Sequence, residues 1–398
     1  MQPRALYGAF DRFPSPKGAA THIAHAAGTL FDHFGGGHLF VLGDDQLPIR
    51  QTVRRPTGPV EVFRHAWPHP SVLARTQHYA RALAAHLARH RAHLEVVHIR
   101  DPWSAVPALA HPERPWRTVF EVNGLPSIEM PVRYANLDPQ TLDRIRSLEA
   151  FALDRADLLV TPSSVTVDLL RARGIPHHRI QLVPNGAHVP NGVPRRPVDA
   201  PRRYVLYFGA VQPWQGVADA LRAMARVADL DVDLVIVASV KEKRCRGLAR
   251  LARRLGVDHR VHWKHQLSRD VLTGWVAHAL ATLAPLTRSP RNIDQGCCPL
   301  KVLESMAVGT PVVASDLPVV RDLMTHREHG WLVPPERPAA LARGIRVLAD
   351  HPDLAASLGE QARAHIRARF TWEHASRQLT GAYERLAALP RRDEGSAP

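Results

Sequence analysis

The residues best suited to chemistry lie between Pro299 and Asp316, in the run PLKVLESMAVGTPVVASD. Its pattern is a loop leading into a short helix, VLESMAVG, which stops at Gly309. The segment TPVVASD follows as a buried strand with a polar end. The first N–H groups of a helix lack partners within it and carry the positive end of its dipole, so they receive phosphate well. Lys301 stands in that first turn and adds a full positive charge. Glu304 comes one turn later, on the side of the helix shared with Leu300 and Lys301 by three- and four-residue spacing. A carboxylate so placed can accept both hydroxyls of a ribose. Taken alone, KVLES reads as an exposed helical glutamate behind a generic cap. The loop, helix, glycine stop and strand in succession favour the ligand reading.

A second candidate is the loop RFPSPKGAATHIAHAAGTL near the N-terminus. Gly18 lets backbone approach a ligand closely, and Lys17 with the following helix N-terminus suits a diphosphate, although an ordinary turn explains the same residues. Two apolar runs end in polar groups: VVHIRDPW in His98, Arg100 and Asp101, and TVFEVNGLPS in Glu121, Asn123 and Gly124. The chain holds 24 histidines. His22/His25 and His86/His90/His93 fall at helical spacing, but no carboxylate accompanies them in a metal-ligand pattern, so they read as surface histidines and no metal is expected. The three cysteines, Cys245, Cys297 and Cys298, cannot form a disulfide framework and read as reduced thiols.

Positioning these groups requires a sheet. Short β-rich runs at 96–99, 118–122, 158–162, 204–209, 232–239 and 281–286 alternate with amphipathic stretches such as VLARTQHYARALAAHLARH and ADALRAMARVA, a rhythm that implies parallel sheets. The segment PNGVPRRPVDAPRR at 190–203 has almost no apolar content and reads as a connection, after which the rhythm restarts. The expected organisation is therefore α/β, with two Rossmann-like, doubly wound domains at 1–195 and 203–371, a last helix at 372–389 and a loose tail at 390–398. A length of 398 residues suits two domains of ordinary size.

Composition, at 45% hydrophobic and 22% charged, is that of a folded globular protein. No stretch approaches the roughly 20 apolar residues of a spanning helix, and the N-terminus lacks the apolar core of a signal peptide, so a cytoplasmic protein is expected. A net charge of +15 favours an anionic partner. Basic residues concentrate in KEKRCRGLARLARR, from Lys241 to Arg254. A solvated helix face, an anionic membrane surface and nucleic acid remain open for that run, although aromatics do not interleave with the cations and no nucleic-acid motif appears.

The block at 299–316 resembles the donor-binding signature of family-four retaining glycosyltransferases, in the variant that reads P-L-K-x-x-E. Other segments fit the same family in order: TPSSVTVDLLRARGIPHHRIQLVPNGAHV, YFGAVQPWQGVADALRAM, and the C-terminal region from GWLVPPERP through Phe370-Thr371-Trp372 to the last helix. The resemblance covers nearly the whole chain and is most specific at 299–316. It implies the GT-B fold, two Rossmann-like domains facing a central cleft, with the last helix returning to the first domain.

It also implies transfer of a sugar from a nucleoside-diphosphate sugar to an acceptor hydroxyl with retention, hexosyl transfer, and no catalytic metal or other cofactor; the basic surface, suited to an anionic membrane where lipid-linked acceptors lie, points to polysaccharide or cell-envelope glycan assembly. The implied donor-binding set is Pro299, Leu300, Lys301, Glu304, Gly209, Gln215, Lys241, Arg291 and Lys17. The implied catalytic set is Asn123, Lys301 and Gly18, with Asn123 and Gly18 bordering the transferring sugar and Lys301 holding the diphosphate. Asn123 occupies the place where many relatives carry a histidine, and a turn-forming Asn-Gly explains it equally well. The family's diphosphate clamp is uncharged here, at Ala210 and Gln215, and the first glutamate of the usual pair is Gly296. Lys301, Lys241 and Arg291 are the substitutes for these charges. A non-catalytic scaffold binding a nucleotide sugar or a partner protein is the alternative. Expected partners are the donor and a glycan or lipid-linked acceptor, with an anionic membrane surface on the inner face as a further candidate; a nucleic-acid partner is not expected.

Overall fold

Runs of β-branched and aromatic residues alternate with longer amphipathic ones, and they build two separate sheets in the computed structural model, which describes residues 3–110, 114–134 and 136–389. The tail 390–398 lies outside the described residues. Contacts divide the chain into one unit of Met1–Ser15, Ala19–Pro184 and Ala375–Pro398, and another of Pro16–Gly18 and Asn185–His374. The division falls after Pro184, earlier than the proline- and arginine-rich segment that composition marks. Residues beyond Asn185 are tied to the second unit by backbone: Ala187 N donates to Phe370 O at 2.8 Å, and Pro190 O accepts from Arg363 Nη2 at 2.8 Å.

The first unit begins with β1 (Ala5–Arg12), α1 (Gly18–Phe34), β2 (Gly37–Leu42), β3 (Arg50–Arg55), β4 (Gly58–His65) and α2 (Val72–His90). It continues with β5 (Val96–Ile99), α3 (Pro102–Leu109), β6 (Arg117–Glu121), α4 (Pro126–Arg133), α5 (Pro139–Arg155), β7 (Leu158–Thr161), α6 (Ser164–Ala172) and β8 (Ile180–Leu182). The sheet order is β3-β4-β2-β1-β5-β6-β7-β8. It is not wholly parallel as expected: β3 runs antiparallel to β4, pairing Arg50 with Phe63 and Arg55 with Gly58. Its sequence RQTVRR is exposed and cationic, which suits an edge strand that must not recruit another chain.

The second unit holds β9 (Tyr204–Gly209), α7 (Val217–Met224), β10 (Asp233–Ala238), α8 (Arg246–Arg254), β11 (Val261–His265), α9 (Arg269–Ala277) and β12 (Ala281–Ala284). After these come α10 (Leu300–Ala307), β13 (Val312–Ser315), α11 (Pro318–Arg321), β14 (Trp331–Val333), α12 (Pro338–Asp350), α13 (Pro352–Arg369) and α14 (Trp372–Ala388). The strands are all parallel in the order β11-β10-β9-β12-β13-β14. Near-continuous apolar strands such as VVAS and DLVIVA are what a sheet covered on both faces requires.

From Ala375 onward α14 belongs to the first unit. Leu379, Ala382, Tyr383 and Leu386 pack with Tyr7, Leu30 and Phe31, and the Tyr383 hydroxyl meets His98 Nδ1 at 2.8 Å. The helix starts cleanly because Thr371 Oγ1 accepts from His374 N at 3.3 Å, a side-chain cap. Among the described residues no helix is long and apolar enough to cross a membrane. All three cysteines are free and buried.

Glycine is obligatory where the chain enters α7. Gly216 has φ of 66°, and a Cβ built there would fall 1.7 Å from the carbonyl oxygen of Pro285. Gly216→Ala is expected to destabilise the second unit by more than about 1 kcal/mol, because both strain and a backbone clash oppose it. Gly247→Ala, whose added methyl meets open space on α8, should be neutral or stabilising by up to about 1 kcal/mol. Equal thermal midpoints for the two variants would remove this account.

Candidate functional site

In a parallel sheet the carboxyl ends of the strands collect at one edge, and each unit gathers its polar groups there. In the second unit, β9 ends at Gly209, whose φ of 111° needs glycine. The loop that follows is pinned from below. Buried Asn292 donates its Nδ2 to the carbonyls of Trp214 and Thr287, each at 2.9 Å, and Thr287 N donates to Trp214 O at 3.1 Å. This holds Gln215 in place. Lys301 Nζ donates to Gln215 Oε1 at 2.5 Å and stands 4.0 Å from the centre of the Tyr207 ring. Arg291 lies over Trp214 at 5.4 Å. The fold thus brings Gly209, Gln215, Lys301 and Arg291 into one neighbourhood.

Burial pulls the Lys301 ammonium down to about 7; Cys297 and Glu304 act against this, and Arg291 reinforces it. A lysine so placed gains from any anion that approaches. The loop before α10 is tied by Asn185, whose Nδ2 donates to Cys298 O at 2.9 Å, and the first turn of α10 has no side-chain cap. Val302 N in this turn donates to Pro299 O at 3.0 Å, and the helix start lies beside Lys301, an arrangement that can receive an anion. Pro299 and Leu300 are half-buried at this helix start.

Glu304 faces a different space from Lys301. It lines a cavity of about 660 Å³ with Phe208, Arg269, Leu272 and Val308. Its Oε1 is 3.6 Å from Arg269 Nη2, and it keeps 29% side-chain exposure. Burial raises the Glu304 carboxyl, while Arg269 and Lys301 oppose the rise. Arg269 carries no motif that marks it, and only the packing of α9 reveals it as the partner of Glu304. Lys241 stands exposed before the turn Glu242–Arg244, two residues after Ser239, whose N donates to Gly209 O at 2.9 Å.

In the first unit, Glu121 at the end of β6 is the hub. It is 2% exposed, and its oxygens meet His22 Nε2 at 2.5 Å, His98 Nε2 at 3.2 Å, Arg100 Nε at 3.5 Å and the Tyr7 hydroxyl at 2.9 Å. Asn123 donates its Nδ2 to Glu121 Oε1. Burial would push the Glu121 carboxyl up, but His22 and His98 hold it well below the usual carboxylate range. Arg100 also bonds Asp11 Oδ2 at 2.5 Å. His22, read from spacing as a surface histidine, is instead turned inward on α1, with 12% of its side chain exposed. Lys17 and Gly18 are exposed where α1 begins. His86 and His90 on α2 likewise turn in, toward buried His38. The sequence reading missed this because His38 comes from a distant strand.

Residues 17–186 match the model of a glycosyl transferase 4-like domain, and residues 202–351 match that of glycosyl transferases group 1. Over 384 residues, 92% of its length, the chain is 27% identical to a D-inositol 3-phosphate glycosyltransferase of Streptomyces griseus subsp. griseus, covering 77% of that protein. It is 30% identical over 188 residues, 46% of its length, to a protein of the same name from Jonesia denitrificans, of which it covers 42%. It thus spans under half of one relative and about three quarters of the other. Among solved structures, sucrose-phosphate synthase from Thermosynechococcus elongatus superposes with a TM-score of 0.79 at 20% identity, over 98% of this chain and all of that one. Anabaena Alr3699/HepE in complex with UDP-glucose gives 0.73 at 18% identity, over 96% and 99%. These superpositions show the fold, two Rossmann-like domains of GT-B type.

Lys301 makes stability depend on pH. In the unfolded chain it titrates near 10.5, so between about 7 and 10.5 the unfolded state holds a proton that the folded state has lost. Stability attributable to this residue must rise with pH across that window, and the cost of burying the charge is full below it. Relative to Lys301→Met, the native chain is expected to gain about 1 kcal/mol or more between pH 7 and 10, read from denaturant unfolding of both proteins. Parallel pH profiles would contradict the assignment.

Proposed function

We propose that this chain, whose two domains match the models of glycosyl transferases group 1 and of a glycosyl transferase 4-like domain, transfers a sugar from a nucleoside-diphosphate sugar to an acceptor hydroxyl with retention of configuration. The observation that carries this reading is the Lys301 ammonium on Gln215 and Tyr207 at the uncapped start of α10, one turn before Glu304 and its cavity. The diphosphate binds at the helix N-terminus with Lys301 and Arg291, in place of the charges absent at Ala210 and Gln215. The ribose hydroxyls displace Arg269 from Glu304. Gly209 leaves room for backbone approach, and Lys241, two residues after Ser239, whose N donates to Gly209 O at 2.9 Å, adds a further cation at that end of the sheet.

In the reaction the bond between the anomeric carbon and the diphosphate oxygen breaks, with charge developing on the diphosphate. The acceptor hydroxyl attacks from the same face, and its proton passes to the departing phosphate oxygen. Catalysis comes from positioning and from cations aimed at that developing charge. No metal or other cofactor is required in this scheme. The first unit takes the acceptor beside Asn123, while Gly18 and Lys17, which the contacts group with the second unit, serve the donor's sugar and phosphates. Asn123 reaches that role as part of the Glu121 cluster, which fixes its side chain.

A hexose donor is the favoured class, since a structural neighbour was solved with UDP-glucose. A glycan or lipid-linked acceptor in cell-envelope assembly suits the exposed cations on and before α8, among them Lys241, Lys243, Arg246, Arg250, Arg253 and Arg254, which would lean on an anionic membrane surface at the cytoplasmic side. A phosphorylated polyol is the second acceptor class, because the matched relatives are named for D-inositol 3-phosphate.

The test is a thermal-shift and calorimetric screen against UDP, GDP, ADP and their sugar derivatives, followed by assay of nucleoside diphosphate release with each acceptor class. Glu304→Ala is expected to weaken donor binding at least tenfold with an unchanged melting profile, as loss of charged hydrogen bonds requires. Lys301→Ala should mainly lower turnover, by tenfold or more. Unaltered donor affinity in the first variant, or unaltered turnover in the second, would overturn these roles. Donor binding without release or transfer would identify a non-catalytic scaffold instead.

A further inference from the structure

The histidines that turn inward in the first unit carry a separate conclusion. His38 is the second residue of β2, and His86 and His90 lie one turn apart near the end of α2. His38 Nδ1 is 2.9 Å from His86 Nε2, and one ligand nitrogen from each of the three rings lies within 4.8 Å of the others. This is the one group of three or more potential metal-ligating side chains among the described residues. Three nitrogens bound tetrahedrally to one zinc ion at 2.0–2.1 Å stand roughly 3.3 Å apart, so modest ring rotations would bring the set to coordination distance.

The surroundings suit a metal more than a bare histidine cluster. Phe63 packs against both His38 and His86, at ring separations of 4.9 and 4.5 Å, which restrains the ligands. A cavity of about 460 Å³ opens beside the three rings and gives an entry path. Arg4, Arg50 and Arg89 line the same cavity and oppose a cation; Arg4 is bonded to Glu95 at 2.6 Å, and Arg50 at 2.7 Å to Glu61, which is register-paired with His38 on β4.

We propose that His38, His86 and His90 form a binding site for a divalent first-row transition metal, with Zn²⁺ as its test case, that fastens α2 to the sheet. Imidazole nitrogens select zinc, copper or nickel over the hard cations magnesium and calcium. Two histidines at i and i+4 on one helix face, completed by a third from another element, are a sound geometry for such an ion. His38 lies at the amino end of its strand, whereas the Glu121 cluster gathers at the carboxyl ends. The metal is therefore structural, separate from the groups assigned to sugar transfer.

The full chain, stripped with chelator, would be titrated with Zn²⁺ against a competing indicator, and its metal content measured after gel filtration. One tightly held equivalent and a raised melting temperature are expected, with no comparable effect of Mg²⁺. His86→Gln/His90→Gln should lose that equivalent, and His90→Gln alone should weaken it at least tenfold while keeping the native circular dichroism. His177→Gln/His178→Gln, on exposed histidines elsewhere, controls for adventitious binding and should retain it. The same zinc affinity in the His90→Gln variant as in the native chain, or no zinc retained by the native chain, would overturn the proposal.

Discussion

A lysine ammonium held by a neutral amide and an aromatic face is the interaction on which the second unit turns. Lys301 is drawn out of water at the start of α10, and its hydrogen bond goes to Gln215. Such a charge is costly to bury and is relieved by an incoming anion or by loss of its proton. Everything around it serves to keep it there: Gly216 packed against Pro285, Asn292 fastening Trp214, Asn185 fastening the loop before the helix. A rigid frame of this kind fixes the ammonium against Gln215 and the Tyr207 ring.

The first unit solves the opposite problem. Its central charge is the carboxylate of Glu121, and it is surrounded by partners: His22, His98, Arg100, Tyr7 and Asn123. A fully bonded buried ion is rigid and specifies the arrangement of the groups that hold it. Tyr383 from α14 enters this network through His98, so the last helix contributes to the polar centre as well as to the apolar core. One unit therefore buries a cation against one neutral amide and a ring, and the other buries an anion among several donors.

Much of this was legible in order of residues alone. The helices at 72–90 and 372–388 and the strands at 96–99 and 204–209 follow directly from periodicity and β-branched content, since local spacing decides which face an element can bury. The glycine stop after α10 and the buried strand TPVVASD are local signals too. Less legible were β2, β3 and β4, whose antiparallel edge strand is short, cationic and set by a hairpin rather than by apolar content.

The sequence by itself determined the class of fold, the motif that places Lys301 and Glu304 on one helix, and the expectation of an anionic ligand there. These rest on spacing within a single element, which the chain carries wherever it goes. Tertiary structure alone decided that Gln215 receives Lys301, that Arg269 faces Glu304, that His22 is paired with Glu121, and that His38 meets His86 and His90. Each of those pairs joins residues tens of positions apart, and only packing of the sheet against its helices fixes which distant side chains share one low-dielectric pocket.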